Sequence, residues 1–446
     1  MTEPKDSVSD MEFAANGAHW PGLDHAFRQR LTAMADSTAG KRLTTRLNSS
    51  FRKDDGTLVP IGIPAVLAPG ERIRLTALVA AYHHMIETIV SAYHEDRRLR
   101  ETLSMPNELT EDLHTPAHPR DTRVHLMRAD VLPQTDGQVK ITETNADSPA
   151  LLMFSGTAAR AWRRLAENHG EQLPEPLPGE REHWMAEWFL KVAEEETGER
   201  PTFVALLRER DGVRWELDIL QRLFAELGVE AQEADLRDLE QRGSGVSLAG
   251  RPVRHAYLKY LMPEFCRIRQ DVEPFVQAVR HGALFVQNRQ LGRWIGDNKL
   301  CLAVMSDPAF GDLFDQQDRD VVAPAIPWSR NAACCSDEEV DCIRRNPTQY
   351  VLKRPLDTRG RGVVIGHEAD EPAQWRAALD LACREGWLVQ EYCPPTEIDF
   401  EPGNGPVRHD LALGAINGVL STAFMRSSAG YRTNVAHAGA LHPVFA

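Results

Sequence analysis

The sequence predicts an α/β protein with additional α+β elements, organised around a small open α/β domain in its middle third. Three observations predict it. A strand at Phe203-Val-Ala-Leu-Leu207, a helical stretch from Glu216 to Leu227 and a strand at Gly228-Val-Glu-Ala231 follow one another, the order of a βαβ unit. Earlier, the alternating segments Arg123-Val-His-Leu-Met-Arg-Ala-Asp-Val-Leu132 and Gln138-Val-Lys-Ile-Thr-Glu143 flank an Asp136-Gly137 turn, which reads as a β-hairpin. Of 446 residues, 42% are hydrophobic and 26% charged, the composition of a globular chain of two to four compact units at roughly 100–200 residues each.

The elements follow in order. Residues 1–70 are mixed, with a turn signal at Asp55-Gly56 and prolines from Pro60 to Pro69. From Arg72 to Leu103, apolar residues recur at helical spacing (Leu75, Leu78, Val79, Tyr82, Ile86, Ile89), predicting one long amphipathic helix. The hairpin comes next and runs into Glu143-Thr-Asn-Ala-Asp-Ser-Pro149. Residues 158–200 read as helix, closing on an acidic stretch before Pro201. After the βαβ unit, Gly243–Gly250 reads as a turn-rich connection, with further strands at Val253–Leu261 and Ala283–Gln287. A loop with Pro324 and Pro327 separates this part from a last region beginning near Gln349. Near the C-terminal end, Asp410–Ile416 and Val419–Phe424 flank Asn417-Gly418, a favoured type I′ turn, and predict a second hairpin. The expected division is 1–157, 158–296, 297–399 and 400–446, without internal repeats.

Several function classes are excluded. With 51 basic against 65 acidic residues the net charge is −14, which argues against a protein that coats nucleic acid. No apolar run approaches the roughly 18–20 residues that span a bilayer, and the Met-Thr-Glu-Pro-Lys start lacks an apolar signal core. The expectation is a cytoplasmic protein with neither nucleic-acid nor membrane partners, monomeric or homodimeric. Seven cysteines without C-x-x-C spacing read as reduced, non-ligating thiols. His83 and His84 are neighbours on a helix and cannot chelate together.

Five segments carry chemistry. A strand period of two places Arg128 with Asp130, and Glu143 with Asn145, on single faces of the hairpin. Such hard oxygen donors suit Mg²⁺, which takes one or two carboxylates and leaves room for phosphate oxygens. Tyr350-Val-Leu-Lys353 followed by Asp357-Thr-Arg359-Gly360-Arg-Gly362 offers a strand-borne lysine before a glycine-rich turn, a phosphate-binding chemistry distinct from a P-loop. Trp387-Leu-Val-Gln390-Glu391, then Pro394-Pro395 and Glu397, is an apolar strand breaking at a turn. Asn298-Lys299 stands at a helix start. Arg408-His-Asp410, Arg426 and Asn434 lie near the C-terminal end.

Together these segments resemble the ATP-grasp ligases. The Arg128-x-Asp130, hairpin, Glu143-x-Asn145 order is similar to their metal-binding end. Lys353 with Arg359, Gly360 and Gly362 resembles their phosphate hairpin, Gln390, Glu391 and Glu397 their adenine hinge and ribose carboxylate, and Lys299 their earlier ATP lysine. Here the metal ligands precede the lysines, and an α/β insert lies between. That order resembles the circularly permuted group containing glutathionylspermidine-synthase-like proteins. The resemblance covers roughly residues 120–150 and 200–446. Pro149 stands four residues after Asn145 instead of three, a form the permuted group tolerates. Residues 1–110 match nothing in the pattern.

The resemblance implies a circularly permuted ATP-grasp fold and an ATP- and Mg²⁺-dependent carboxylate–amine ligase, forming an amide through an acylphosphate from small-molecule acid and amine substrates. Asp130, Glu143 and Asn145 would hold the metal. Arg128 and Arg426 would stabilise the transferred phosphoryl group. Asp147, Arg408 and Asn434 are candidates to touch or support the substrates. The alternatives are an ATP-binding regulatory scaffold and a small-molecule kinase. Glycine-rich loops lose order without their anion, because little apolar packing holds them. Hydrogen exchange across Thr358–Gly362 is therefore expected to slow when an ATP analogue is added; unchanged protection would remove this loop from nucleotide binding.

Overall fold

The computed structural model describes residues 20–51, 57–114, 122–210, 214–358, 360–369, 371–398, 406–430, 433 and 439–446. Its largest sheet has seven strands, in the order Ala65–Val66, Ala440–Phe445, Val419–Ser428, Val407–Ile416, Leu126–Pro133, Val139–Asn145, with Glu397–Ile398 added beside Val407–Ile416. The C-terminal hairpin turns at Asn417-Gly418, with φ of 46° and 76°, the two left-handed residues of a type I′ turn. Its first strand pairs antiparallel with Leu126–Pro133, Ala412 opposite Asp130 and Gly414 opposite Arg128. Segments far apart along the chain thus share one sheet.

The two faces of this sheet do different things. Ala129, Val131, Leu411, Leu413 and Met425 join a core with Leu78, Val79, Tyr82, Ile86 and Ile89 of the helix Glu71–Ala92. Alternation then turns Arg128, Asp130, Asp410 and Arg426 to the opposite face. On the edge strand a bulge is needed for this. Val131 pairs with Ile141 but Asp130 pairs with Glu143, so Thr142 is an extra residue. Without it Glu143 would share the core face of Ile141.

The inserted domain is a parallel sheet ordered Phe285–Val286, His255–Lys259, Phe203–Arg208, Glu230–Ala234, as the βαβ reading expects. Other elements differ from the sequence reading. The long helix stops at Ala92, and Asp96 caps a separate helix Arg97–Thr102 by accepting Arg98 N–H at 2.7 Å. The 158–200 stretch divides into Leu152–Asn168 and Trp184–Thr197, because Pro174, Pro176 and Pro178 cannot donate helical hydrogen bonds. Gly243–Gly250 is part of an antiparallel meander, Leu239–Arg242, Gly245–Leu248 and Arg251–Val253.

A four-stranded antiparallel sheet, Ser329–Asn331, Leu388–Glu391, Tyr350–Lys353 and Val363–Ile365, has its own core around Leu352, Trp375, Leu379, Trp387 and Val389. It is narrower than the expected 297–399 unit. Gln316–Val322 packs on the long helix instead, and Glu397–Ile398 belongs to the large sheet.

Asn288 ties the inserted domain to the large sheet. Its backbone is left-handed, φ 46°, a region Asn tolerates better than other side-chain-bearing residues. Its Oδ1 accepts Leu126 N–H at 2.9 Å, and its Nδ2 donates to Leu126 O at 2.5 Å and Ala146 O at 2.7 Å. The side chain is buried, so removing it strands three backbone groups away from water. Asn288→Ala is expected to lower stability by about 2–4 kcal/mol in urea unfolding with an unchanged m-value; a loss under about 0.5 kcal/mol, the range of ordinary surface changes, would contradict the clamp.

Candidate functional site

Asp130 is the centre of a buried charge network. Arg128 reaches it with both branches of its fork, Nε to Oδ1 at 2.7 Å and Nη2 to Oδ2 at 2.8 Å, and Arg128 Nη1 donates to Ala150 O at 3.0 Å. Arg426 Nη2 lies 3.0 Å from Asp130 Oδ2. Asn145 Nδ2 is 3.4 Å from the same oxygen. Burial opposes ionisation of Asp130, but Arg128 and Arg426 outweigh it and hold the carboxyl down to about 2. Part of the offset to this buried carboxylate comes from the chain itself, because two guanidiniums share the sheet face with Asp130.

Arg426 bridges two carboxylates. It holds Asp410 with Nε to Oδ1 at 2.9 Å and Nη2 to Oδ2 at 2.6 Å, and Thr433 Oγ1 also donates to Asp410. Asp410 stands directly across from Arg426 on the neighbouring strand. Burial raises its pKa against the pull of Arg426, with Asp130 adding to the rise.

The two lysines arrive from separate segments. Lys299 Nζ lies 3.1 Å from Glu143 Oε1 and donates to Asp357 O at 2.6 Å. Lys353 Nζ donates to Thr142 O at 2.8 Å and to Gln390 Oε1 at 2.7 Å. The bulge residue Thr142 therefore has a definite job: its carbonyl receives the lysine of the four-stranded sheet. Burial lowers Lys353 to about 8, with Glu143 opposing and Lys299 reinforcing the shift.

Other expected residues are placed differently. Gln390 is buried; its carboxamide oxygen holds Lys353, while its Nε2 donates to Ser329 Oγ at 3.1 Å. The N–H groups of Glu391 and Tyr392 bond Trp328 O and Gln349 O, each at 2.8 Å, so the strand keeps them within its own unit rather than offering them to an adenine edge. Glu397 lies on the large sheet opposite Arg408, 3.7 Å from its Nε, so it pairs with another expected site residue. Asp147 turns away from the hairpin: its Oδ2 accepts Met262 N–H at 2.7 Å and its Oδ1 lies 3.1 Å from Arg293 Nε. Burial raises it to about 7 against Arg293, with Asp297 reinforcing. It ties the hairpin exit to the inserted domain. Gly360 and Gly362 have φ of 73° and 64°, consistent with a turn that only glycine enters freely. Arg359 and Asn434 lie outside the described residues.

Three contributors have no role in the sequence reading: Asp410, which lies in one of the chemistry-bearing segments, Thr433 beside it behind Arg426, and Asp297, whose Oδ1 accepts the N–H groups of Ala146 and Asp147 at 2.7 and 2.9 Å. Asp410 sits at an even offset from Ala412, the residue opposite Asp130, a signal visible only once the strand pairing is known.

No protein-family model matches the sequence, and no curated protein does. Among solved structures, a glutathione synthetase-like effector (GSS30) from Globodera pallida in apo form matches with a TM-score of 0.57 at 13% identity, covering 94% of this chain and 97% of that chain. The chain has a glutathione synthetase-like fold. At this identity the likeness extends to the fold, and the chemistry rests on the residues. Among the described helices, none is long and apolar enough to cross a membrane.

The lowered Lys353 has a sign that can be checked. A folded pKa near 8 against 10.5 for an exposed lysine means the unfolded chain binds more protons between those values, so stability rises with pH across the window. The destabilising charge is fully present below pH 8. Lys353→Met strands the two acceptors of this amine but does not titrate, so its stability is expected to fall relative to the parent as pH rises from 8 to 10; parallel urea midpoints at all pH values would contradict the burial of this amine.

Proposed function

We propose that the protein is an ATP- and Mg²⁺-dependent carboxylate–amine ligase with a circularly permuted ATP-grasp arrangement. One observation carries the reading: Lys299 and Lys353, from two different segments, meet the Glu143 end of the hairpin while Arg128 and Arg426 converge on Asp130. The permuted order is supported by the C-terminal hairpin, which closes onto the strand carrying Arg128 and Asp130.

The residues fit the groups this requires. Asp130 and Glu143 are directly paired across strands, with Asn145 opposite Arg128, giving two carboxylates and a carboxamide oxygen for a hard cation. Lys299 and Lys353 provide the positive charge a polyphosphate needs. When bound, Mg²⁺ would neutralise phosphate charge at this donor set. The acid's carboxylate oxygen attacks the γ-phosphorus of ATP, the bond to the β-phosphate oxygen breaks, and ADP leaves. The amine then attacks the acyl carbon of the acylphosphate, which releases inorganic phosphate and forms the amide. Phosphoryl transfer depends on positioning and charge stabilisation, and this chain gathers two arginines and two lysines around the hairpin for that purpose. The lysine and glycine turn of the four-stranded unit would cover the nucleotide and exclude water.

Glu143→Ala is expected to reduce Mg²⁺-dependent ADP formation at least about a hundredfold, the scale of losing a transition-state charge partner, with an unchanged circular dichroism spectrum. The assay is a matrix of small acids against amines with phosphate release as readout and mass spectrometry of the products. Turnover that requires both substrates and yields an amide and free phosphate identifies a ligase; repeated turnover to a phosphorylated product with the acid alone identifies a kinase. Full turnover by Glu143→Ala would remove the hairpin from the active site.

A further inference from the structure

We propose that Asp410 is a positioning residue that parks Arg426, so that a divalent cation can displace Arg426 from Asp130. This inference rests on the ligase reading above and concerns how its metal site is filled. Asp130 Oδ2 receives three donors: Arg128 Nη2 at 2.8 Å, Arg426 Nη2 at 3.0 Å and Asn145 Nδ2 at 3.4 Å. Asp130 Oδ1 receives Arg128 Nε at 2.7 Å. A carboxylate has about four lone-pair sites over its two oxygens, so the donors crowd Oδ2 while Oδ1 keeps one site beside Arg128 Nε. A metal that engages Oδ2 must displace one guanidinium.

Arg426 is the one built to leave. Arg128 grips Asp130 with both branches and is anchored a third time to Ala150 O. Arg426 gives Asp130 a single contact, at 3.0 Å, and gives its full fork to Asp410, at 2.9 and 2.6 Å. Asp410 is buried, and Thr433 adds a hydrogen bond to the same carboxylate. Releasing Asp130 thus costs Arg426 one of three contacts, and it never becomes an unpaired buried cation, the state that would be strongly disfavoured. The sheet register makes this possible. Asp410 faces Arg426 across one strand pair, and Ala412, two residues on, faces Asp130 across the next.

The other groups facing this point are Glu143, held by Lys299 at 3.1 Å, and the Phe424 ring, whose centroid lies 6.0 Å from the Arg128 guanidinium. Neither competes for Asp130. In the free protein, then, Arg426 acts as a tethered stand-in cation.

The test is a double-mutant cycle read by Mn²⁺ binding, with free Mn²⁺ followed by electron paramagnetic resonance in the absence of turnover. Arg426→Gln removes the competitor, and Mn²⁺ is expected to bind about tenfold more tightly. Asp410→Asn removes the parking place, so Arg426 turns fully onto Asp130 and Mn²⁺ binds about tenfold more weakly. The double variant Asp410→Asn/Arg426→Gln is expected to match Arg426→Gln, because Asp410 acts through Arg426. If Asp410→Asn weakens binding equally in both backgrounds, Asp410 acts only as a nearby negative charge and the parking role is overturned. Arg426→Lys, which retains charge without the fork, guards against misfolding of Arg426→Gln and is expected to bind Mn²⁺ more tightly than the parent. Equal Mn²⁺ affinity in all variants overturns the exchange alone. Absence of Mn²⁺ binding in the parent overturns the metal site and the ligase reading with it.

Discussion

The antiparallel pairing of Val407–Ile416 with Leu126–Pro133 is the constraint on which the site depends. With Val419–Ser428 these strands share one charge network, Arg128 and Asp130 on Leu126–Pro133, Asp410 on Val407–Ile416 and Arg426 on the third. Arg128 and Asp130 neutralise one another, but Asp410 has its counterion on the next strand and shares it with Asp130. Buried ions left without a partner are strongly destabilising, so the sheet and the network stabilise each other. Pairing brings the four charges together, and their mutual neutralisation permits a polar face on an otherwise apolar sheet. The opposite face is free to pack on the long helix Glu71–Ala92, where Leu78, Val79 and Ile86 fill the core.

A second constraint acts at the sheet's edge. The extra residue at Thr142 reverses the alternation between Ile141 and Glu143, which lets a hydrophobic core residue and a charged site residue stand two positions apart. It also frees the Thr142 carbonyl, which accepts Lys353 from a different structural unit. Beyond the hairpin, Asp297 receives the backbone of Ala146 and Asp147, and Asn288 clamps Leu126 and Ala146. The exit of the hairpin is held from the side of the inserted domain, so the geometry of Glu143 and Asn145 does not rest on the edge strand alone.

Much of this was legible in the sequence, and what was missed has physical reasons. Alternation and turn chemistry located both hairpins, and Asn417-Gly418 named its own turn. The bulge at Thr142 was not legible, because one extra residue leaves a Val-Lys-Ile-Thr-Glu pattern that still alternates. The partners of Gln390 and Glu397 were not legible for a related reason. Strand periodicity gives the face of a residue, but not which neighbour its side chain meets, and each found a partner within the fold, Lys353 and Arg408. The meander at 239–253 was hidden because short strands joined by two-residue turns have the composition of a loop.

The central claim is that Asp130, Glu143 and Asn145 hold a divalent cation beside the phosphates of ATP. It is tested most directly by crystals grown with Mn²⁺ and a non-hydrolysable ATP analogue, using the anomalous signal to locate the ion. The account predicts a peak within about 2.0–2.6 Å of oxygens from this donor set, the range for hard cations on oxygen ligands, with the polyphosphate against Lys299 and Lys353. A peak elsewhere, or an Asp130 still gripped by both Arg128 and Arg426 with the analogue bound, would contradict it.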